Sequence, residues 1–128
     1  LILRRPFQMI THDWALQFAR EWIDSWNAHD LDRILSHYTD DFQMSSPYIV
    51  QFVGEASGTL KGKECVAAYW RAALDRLPDL RFELMEVYAG ADSIAIHYRG
   101  ARGKIVVEVL FFDENHKVIR AAAHYDRD

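Results

Sequence analysis

One cysteine, Cys65, stands in 128 residues. No internal disulfide can form, so the fold must be held by its core, and a reducing compartment is permitted. There is no run of lysine or arginine, and the net charge is −4. That removes the basic footprint nucleic-acid binding requires. No apolar stretch approaches the length of a membrane span. The start, Leu1-Ile2-Leu3 before Arg4-Arg5-Pro6, is too short in apolar length for a signal peptide. The chain opens on Leu1 rather than Met, as a trimmed chain would. Cytoplasmic localisation is the expectation. Neither Gly-X-Gly-X-X-Gly nor a phosphate loop occurs, so no nucleotide cofactor is indicated. The histidines His12, His29, His37, His116 and His124 show no i, i+4 pair or other ligand spacing, so no metal site is expected. Cys65 reads as a packing residue. The expectations are no cofactor, no metal, no nucleic acid and no membrane.

Hydrophobic residues make up 50% of the chain and aromatics 13%, which speaks against disorder. The length suits one domain that buries roughly two thirds of its unfolded surface. Residues 1–12 lack a period and read as an N-terminal arm, leaving 13–128 as the domain. A first helix is expected from Asp13, as N-cap, to Asn27, with Trp14, Ala15, Phe18, Ala19, Trp22 and Trp26 forming one wide aromatic stripe. Asp30 caps a short helix from Leu31 to about Tyr38. Phe42–Ser46 reads as a strand stopped by Pro47. Tyr48–Val53 continues it as a second extended piece, and Gly54–Gly62 is a loop able to form a mobile rim. A third helix spans Lys63 to just before Pro78, with Val66, Tyr69, Trp70, Ala73, Leu74 and Leu77 inward.

The last third carries four strand-like runs: Leu80–Ala89, Ser93–Arg99, Lys104–Phe112 and Val118–Tyr125. The links between them are short, which forces an antiparallel meander. Pairing Gly100 with Gly103 across a two-residue turn puts Ile94, Ile96 and Tyr98 on one face with Ile105, Val107, Val109 and Phe111. The other face carries His97, Val106, Glu108 and Leu110. Two readings follow. Either the wholly apolar face is the core and the mixed face is solvated, or the mixed face lines a semi-polar cavity and the apolar face is buried in a dimer. The order of elements gives an α+β domain with its helices against one sheet face.

The chain resembles the nuclear transport factor 2-like superfamily, in its SnoaL-like and ketosteroid-isomerase-like branch. The residues that carry the resemblance are Trp22-Ile23-Asp24-Ser25-Trp26-Asn27-Ala28-His29-Asp30-Leu31-Asp32 and Tyr38-Thr39-Asp40-Asp41-Phe42. Leu60-Lys61-Gly62-Lys63-Glu64 then enters Ala67-Ala68-Tyr69-Trp70, and Phe111-Phe112-Asp113-Glu114 leads to Lys117-Val118-Ile119-Arg120. His124-Tyr125-Asp126 closes the match, which covers residues 13–126. The resemblance implies a cone-shaped curved antiparallel sheet wrapped around three N-terminal helices, with a pocket at the wide end. In many members the outer sheet face forms a homodimer, which favours the second reading of the two faces.

The family holds isomerases, cyclases, hydrolases and non-catalytic domains, so fold alone leaves function open. The isomerase branch keeps an aspartate base just before the proline after its first strand. Here that place is Ser46, before Pro47, so steroid isomerisation by that mechanism is not supported. The branch's oxyanion-hole tyrosine falls on Trp22, a supporting tyrosine on Trp70, and its protonated aspartate on Glu108. Glu108 lies between Val106 and Leu110 on its face, where burial would raise its pKa; the plainer reading is a rim glutamate paired with Arg99 or Lys104, or a solvated residue. His97, one diagonal step away under the assumed pairing, would shuttle a proton with Glu108, or is a structural histidine. Phe18, Trp22, Ser46, Trp70 and Tyr125 are the expected ligand-binding residues. The expected function is binding of a small hydrophobic, oxygenated molecule, with metal-independent acid/base chemistry of isomerase, cyclase or hydrolase type. The alternative is a dimerisation or partner-binding domain with a vestigial pocket.

Overall fold

The computed structural model describes residues 9–127. Most of the expected arm, residues 1–8, lies outside the described residues. Met9 is exposed, whereas Ile10 is buried and its N–H bonds the Ala91 carbonyl at 3.4 Å. Helix α1 spans His12–Asn27. Its N-cap is Thr11, two residues before the expected Asp13: the Thr11 hydroxyl accepts the Trp14 N–H at 3.1 Å. Asp13 sits instead in the first turn, where its charge complements the helix dipole. Helix α2 covers Leu31–Leu35, capped by Asp30 as its sequence suggests. Strand β1 runs Tyr38–Ser45.

Helix α3, Pro47–Val53, replaces the expected second extended piece. Proline ends the strand but also starts the helix. The Ser46 hydroxyl accepts the Tyr48 N–H, Pro47 takes the first helical position, and Gly54 closes the helix at φ 80°. Serine, proline and glycine in that order are the start and stop signals of a short helix. A three-residue strand β2, Thr59–Lys61, lies inside the expected loop and pairs antiparallel with β1. Helix α4 spans Lys63–Arg76. Cys65 is exposed on it, not packed. Strands β3 Glu83–Ala89, β4 Ser93–Arg99, β5 Ile105–Phe112 and β6 Val118–Tyr125 complete the fold.

Among the described residues the result is an α+β architecture of four α-helices and one curved, unclosed six-stranded sheet, in the order β2-β1-β6-β5-β4-β3. The sheet is mixed, not wholly antiparallel, because β1 pairs parallel with β6. These two strands are far apart in sequence, which leaves room for the long crossover a parallel pair needs. Helix α1 lies against β3 and α4 against β1, so the core sits between the helices and the inner sheet face.

The register of β4 with β5 differs by one residue from the expected one. Ile94 faces Leu110, Ile96 faces Glu108 and Tyr98 faces Val106. The cause is the turn, which loops out three residues, Ala101–Gly103, and closes with the Gly100 N–H on the Lys104 carbonyl at 2.7 Å. Arg102 at φ 59° and Gly103 at φ 74° both adopt left-handed backbone. A one-residue slip exchanges the faces of one strand against the other. Ile94, Ile96 and Tyr98 are therefore buried inside with Val106, Glu108 and Leu110. The outer face carries Ala95 and His97 beside Ile105, Val107, Val109 and Phe111, all half-buried. The seven-residue apolar face read from the sequence is thus split between core and exterior.

Candidate functional site

Asn27 at the end of α1 anchors the wall of an internal cavity. Its side-chain amide donates to the Phe82 carbonyl at 2.9 Å, and its oxygen accepts the Phe82 N–H at 2.6 Å. One side chain thereby satisfies both backbone groups of Phe82, as a neighbouring strand would. A His29 ring nitrogen lies 2.8 Å from the Leu80 carbonyl and holds the same segment. Phe82 is thus fixed against Trp22, Trp26 and Tyr98, with ring centroids 5.9, 5.4 and 4.7 Å away.

The cavity has a volume of about 560 Å³, within the usual range of roughly 300–1,000 Å³ for small-molecule sites. Its wall is rich in aromatic side chains, among them Trp26, Tyr69, Trp70, Phe82, Tyr98 and Tyr125. Glu108 is the single carboxylate among the described lining residues, and no histidine or cysteine joins it. Helix α3 stands at the mouth with Gln51, Phe52 and Val53. Phe52 and Val53 are exposed there.

Glu108 is 4% exposed. Along β5 its face neighbours are Val106 and Leu110; across the sheet they are Ile96 and Ala123. Nothing in that ring solvates a negative charge. The Tyr98 hydroxyl donates to Glu108 Oε1 at 3.0 Å, which favours the carboxylate. Burial outweighs that bond and pushes the Glu108 carboxyl up to about 7. The carboxyl is therefore shared between acid and base forms at neutral pH, the condition for general acid/base work. The phenols around it respond to the same environment. Burial pushes Tyr69 up to about 12, and the Glu108 charge adds to it. Burial, then Glu108, also raises Tyr38, Tyr98 and Tyr125. Near neutral pH these four remain protonated donors.

The expected site residues divide by place. Trp70 and Tyr125 line the cavity, Tyr125 half-buried and edge-on to Tyr48 at 4.6 Å. Ser46 also borders it, but its hydroxyl oxygen caps α3. Trp22 also borders the cavity, fully buried, and its indole N–H is donated to the Tyr38 hydroxyl at 2.9 Å. Two expectations are corrected. Phe18 packs against Trp14, His37 and Phe112 at the opposite end of α1. His97 lies on the outer sheet face across from Val107, because of the one-residue register difference, and cannot pair with Glu108.

Tyr98, Tyr38, Tyr69 and Phe82 did not stand out in the sequence. The register hides Tyr98, and the helical period assigns Tyr69 to the core stripe. Among the described residues no group of three His, Cys, Asp or Glu side chains could hold a metal ion. Nor is any described helix long and apolar enough to cross a membrane.

The family model for the SnoaL-like domain matches residues 19–127. The chain belongs to the SnoaL-like family. A SnoaL-like protein of unknown function from Burkholderia thailandensis is 59% identical, with TM-score 0.91, over 94% of this chain and all of that one. At lower identity the likeness is one of fold. A SnoaL-like candidate isomerase from Agrobacterium tumefaciens is 16% identical, with TM-score 0.70, over 88% of this chain and 97% of the other. AclR, a candidate hydroxylase from Streptomyces galilaeus, is 18% identical, with TM-score 0.68, over 91% of both chains. Among curated proteins none matches the chain.

Proposed function

We propose that this SnoaL-like protein binds a small hydrophobic, oxygenated molecule and moves a proton on it, with Glu108 as the acid/base. The observation that carries the reading is a single buried carboxyl, held near neutrality, in the wall of an open aromatic cavity. One carboxyl without a second acid, histidine or cysteine among the described lining residues suits proton transfer better than nucleophilic chemistry, which needs a nucleophile and its base together. The phenol of Tyr98 keeps Glu108 oriented. In its neutral form Glu108 has an O–H to give; in its charged form it can take a proton from a carbon or hydroxyl. An isomerase, cyclase or hydrolase-type step fits that inventory. The open cavity favours this reading over a vestigial pocket, which its tryptophans would fill. The half-buried row Ile105, Val107, Val109 and Phe111 is the surface through which two copies would pair as a homodimer.

The test is native mass spectrometry of protein purified from its own host, repeated with Glu108→Gln. The expected result is a bound small molecule that wild type converts and the variant only binds. Protein with no bound molecule and no affinity for apolar aromatic compounds would overturn the binding. Full turnover by Glu108→Gln would overturn the acid/base role.

A further inference from the structure

The mouth of the cavity is charged in a way the whole chain is not. Arg76 at the end of α4, Arg102 in the β4–β5 turn and Lys104 after it line the opening. A neighbouring groove shares Arg76 and Arg102 and adds Arg81 and Arg99. Among the described residues Asp79 and Glu83 are the acids in that groove, and none but buried Glu108 lines the cavity itself. Among the described residues, a chain of net charge −4 thus gathers five basic side chains and two exposed acids along the cavity and the groove beside it.

Among the described residues none of these cations is held in an ion pair. The ion pairs among the described residues join His12 to Glu86, Arg33 and His37 to Glu21, Lys63 to Asp40 and Arg127 to Asp126. None uses a rim cation. Lys104 Nζ donates to the Arg127 carbonyl at 3.4 Å and stands 5.8 Å from the centre of the Tyr48 ring. Arg99 donates to the Gly103 carbonyl at 3.5 Å. Carbonyls accept these protons without cancelling the charge. Arg102 adds a second, independent observation. It holds a left-handed backbone, φ 59° and ψ 24°, in a turn where glycine would be the unstrained choice. Strain of this kind gathers where a side chain has work to do.

We infer that the ligand carries an anionic group, which the Arg76–Arg102–Lys104 rim holds at the mouth while its apolar body enters the aromatic cavity. This rests on the binding role proposed above and narrows the class of molecule. Charge also orients it. The rim attracts the anionic end, and ionised Glu108 inside repels it, so the neutral end reaches the carboxyl first. Arginine suits a carboxylate, phosphate or sulfonate oxygen pair in particular.

Two probes with one ring system test this. N-phenyl-1-naphthylamine is neutral; 8-anilinonaphthalene-1-sulfonate is the same body with an anion. Binding is read as energy transfer from the cavity tryptophans, in wild type and in the double variant Arg102→Glu, Lys104→Glu. Both residues lie at the surface turn, and thermal melting checks that the variant folds. The expected result is a loss of at least about tenfold in affinity for the sulfonate, with affinity for the neutral probe within about twofold. Added salt should weaken the sulfonate alone. Unchanged sulfonate affinity in the variant, or equal loss for both probes, would overturn the anionic class and leave the cavity's binding role standing. A wild type that takes up neither probe would overturn both.

Discussion

Helix α1 serves two aromatic regions that behave differently. At its start, Trp14 and Phe18 meet Phe112 edge-on at 5.1 and 5.0 Å, with Trp14 4.9 Å from His116 and Phe18 5.2 Å from His37. At that end the rings pack on one another. Two turns on, Trp22 and Trp26 meet Phe82, Tyr98 and Trp70, and a cavity of about 560 Å³ opens beside them. The two clusters are roughly 12 Å apart along one helix face. The packed end stabilises; the open end leaves apolar surface unfilled and holds an acid in it. A helical stripe of aromatics shows which face is buried and says nothing of whether its partner is protein or a cavity.

That contrast can be broken first at the packed end. Phe18→Ala should cost about 3–5 kcal/mol of stability, the range for emptying an aromatic site in a close-packed core. It should leave the ligand affinity of the remaining folded protein unchanged. Denaturant melts and probe binding at low temperature check both halves. A loss of affinity with little loss of stability would place Phe18 functionally in the site.

The open end should respond in the opposite sense. Glu108 has its folded pKa raised from 4.5 to about 7. Below 4.5 both states hold the proton and no penalty exists. Between 4.5 and 7 the unfolded chain gives up its proton while the native state keeps it, so stability falls as pH rises. Above the folded value the cost levels off at about 3 kcal/mol as an upper bound. Glu108→Gln keeps an oxygen to accept the Tyr98 hydroxyl and removes the charge. It should therefore stabilise the protein by about 2 kcal/mol in mild alkali and by almost nothing near the acid end of that window. Urea midpoints of both proteins across this range are the measurement.

The smallest effect is expected outside both regions. Val107→Lys on the outer face should change the stability of one protomer by about 0.5 kcal/mol or less. It should nonetheless separate the proposed homodimer. Sedimentation of wild type as a monomer at micromolar concentration would remove the dimer.

Much of the fold was legible because its signals are local. The bounds of β4 and β6, the N-cap Asp30 and the start of α4 at Lys63 follow from turn residues and apolar period. What was illegible depends on distance or on a single residue of length. The parallel pairing of β1 with β6 joins segments far apart in sequence. The β4–β5 turn holds three residues, not two, and arginine gives no hint that it will adopt left-handed backbone. That one residue carried Tyr98 inward and His97 outward. Glu108 survived because its neighbours Val106 and Leu110 lie on its own strand, where alternation does not depend on register. Phe18 was grouped with Trp22 because period fixes the face of a helix, not the position along it.

The central claim is that the carboxyl in the cavity wall titrates near neutrality. The direct measurement is an NMR titration of side-chain carbon in labelled glutamate, with Glu108 assigned by its absence in Glu108→Gln. The account predicts a midpoint of about 7, set by burial against the opposing Tyr98 hydroxyl. Tyr98→Phe, which removes that hydrogen bond, should move it higher still. A midpoint at or below the ordinary value of 4.5 would contradict the account.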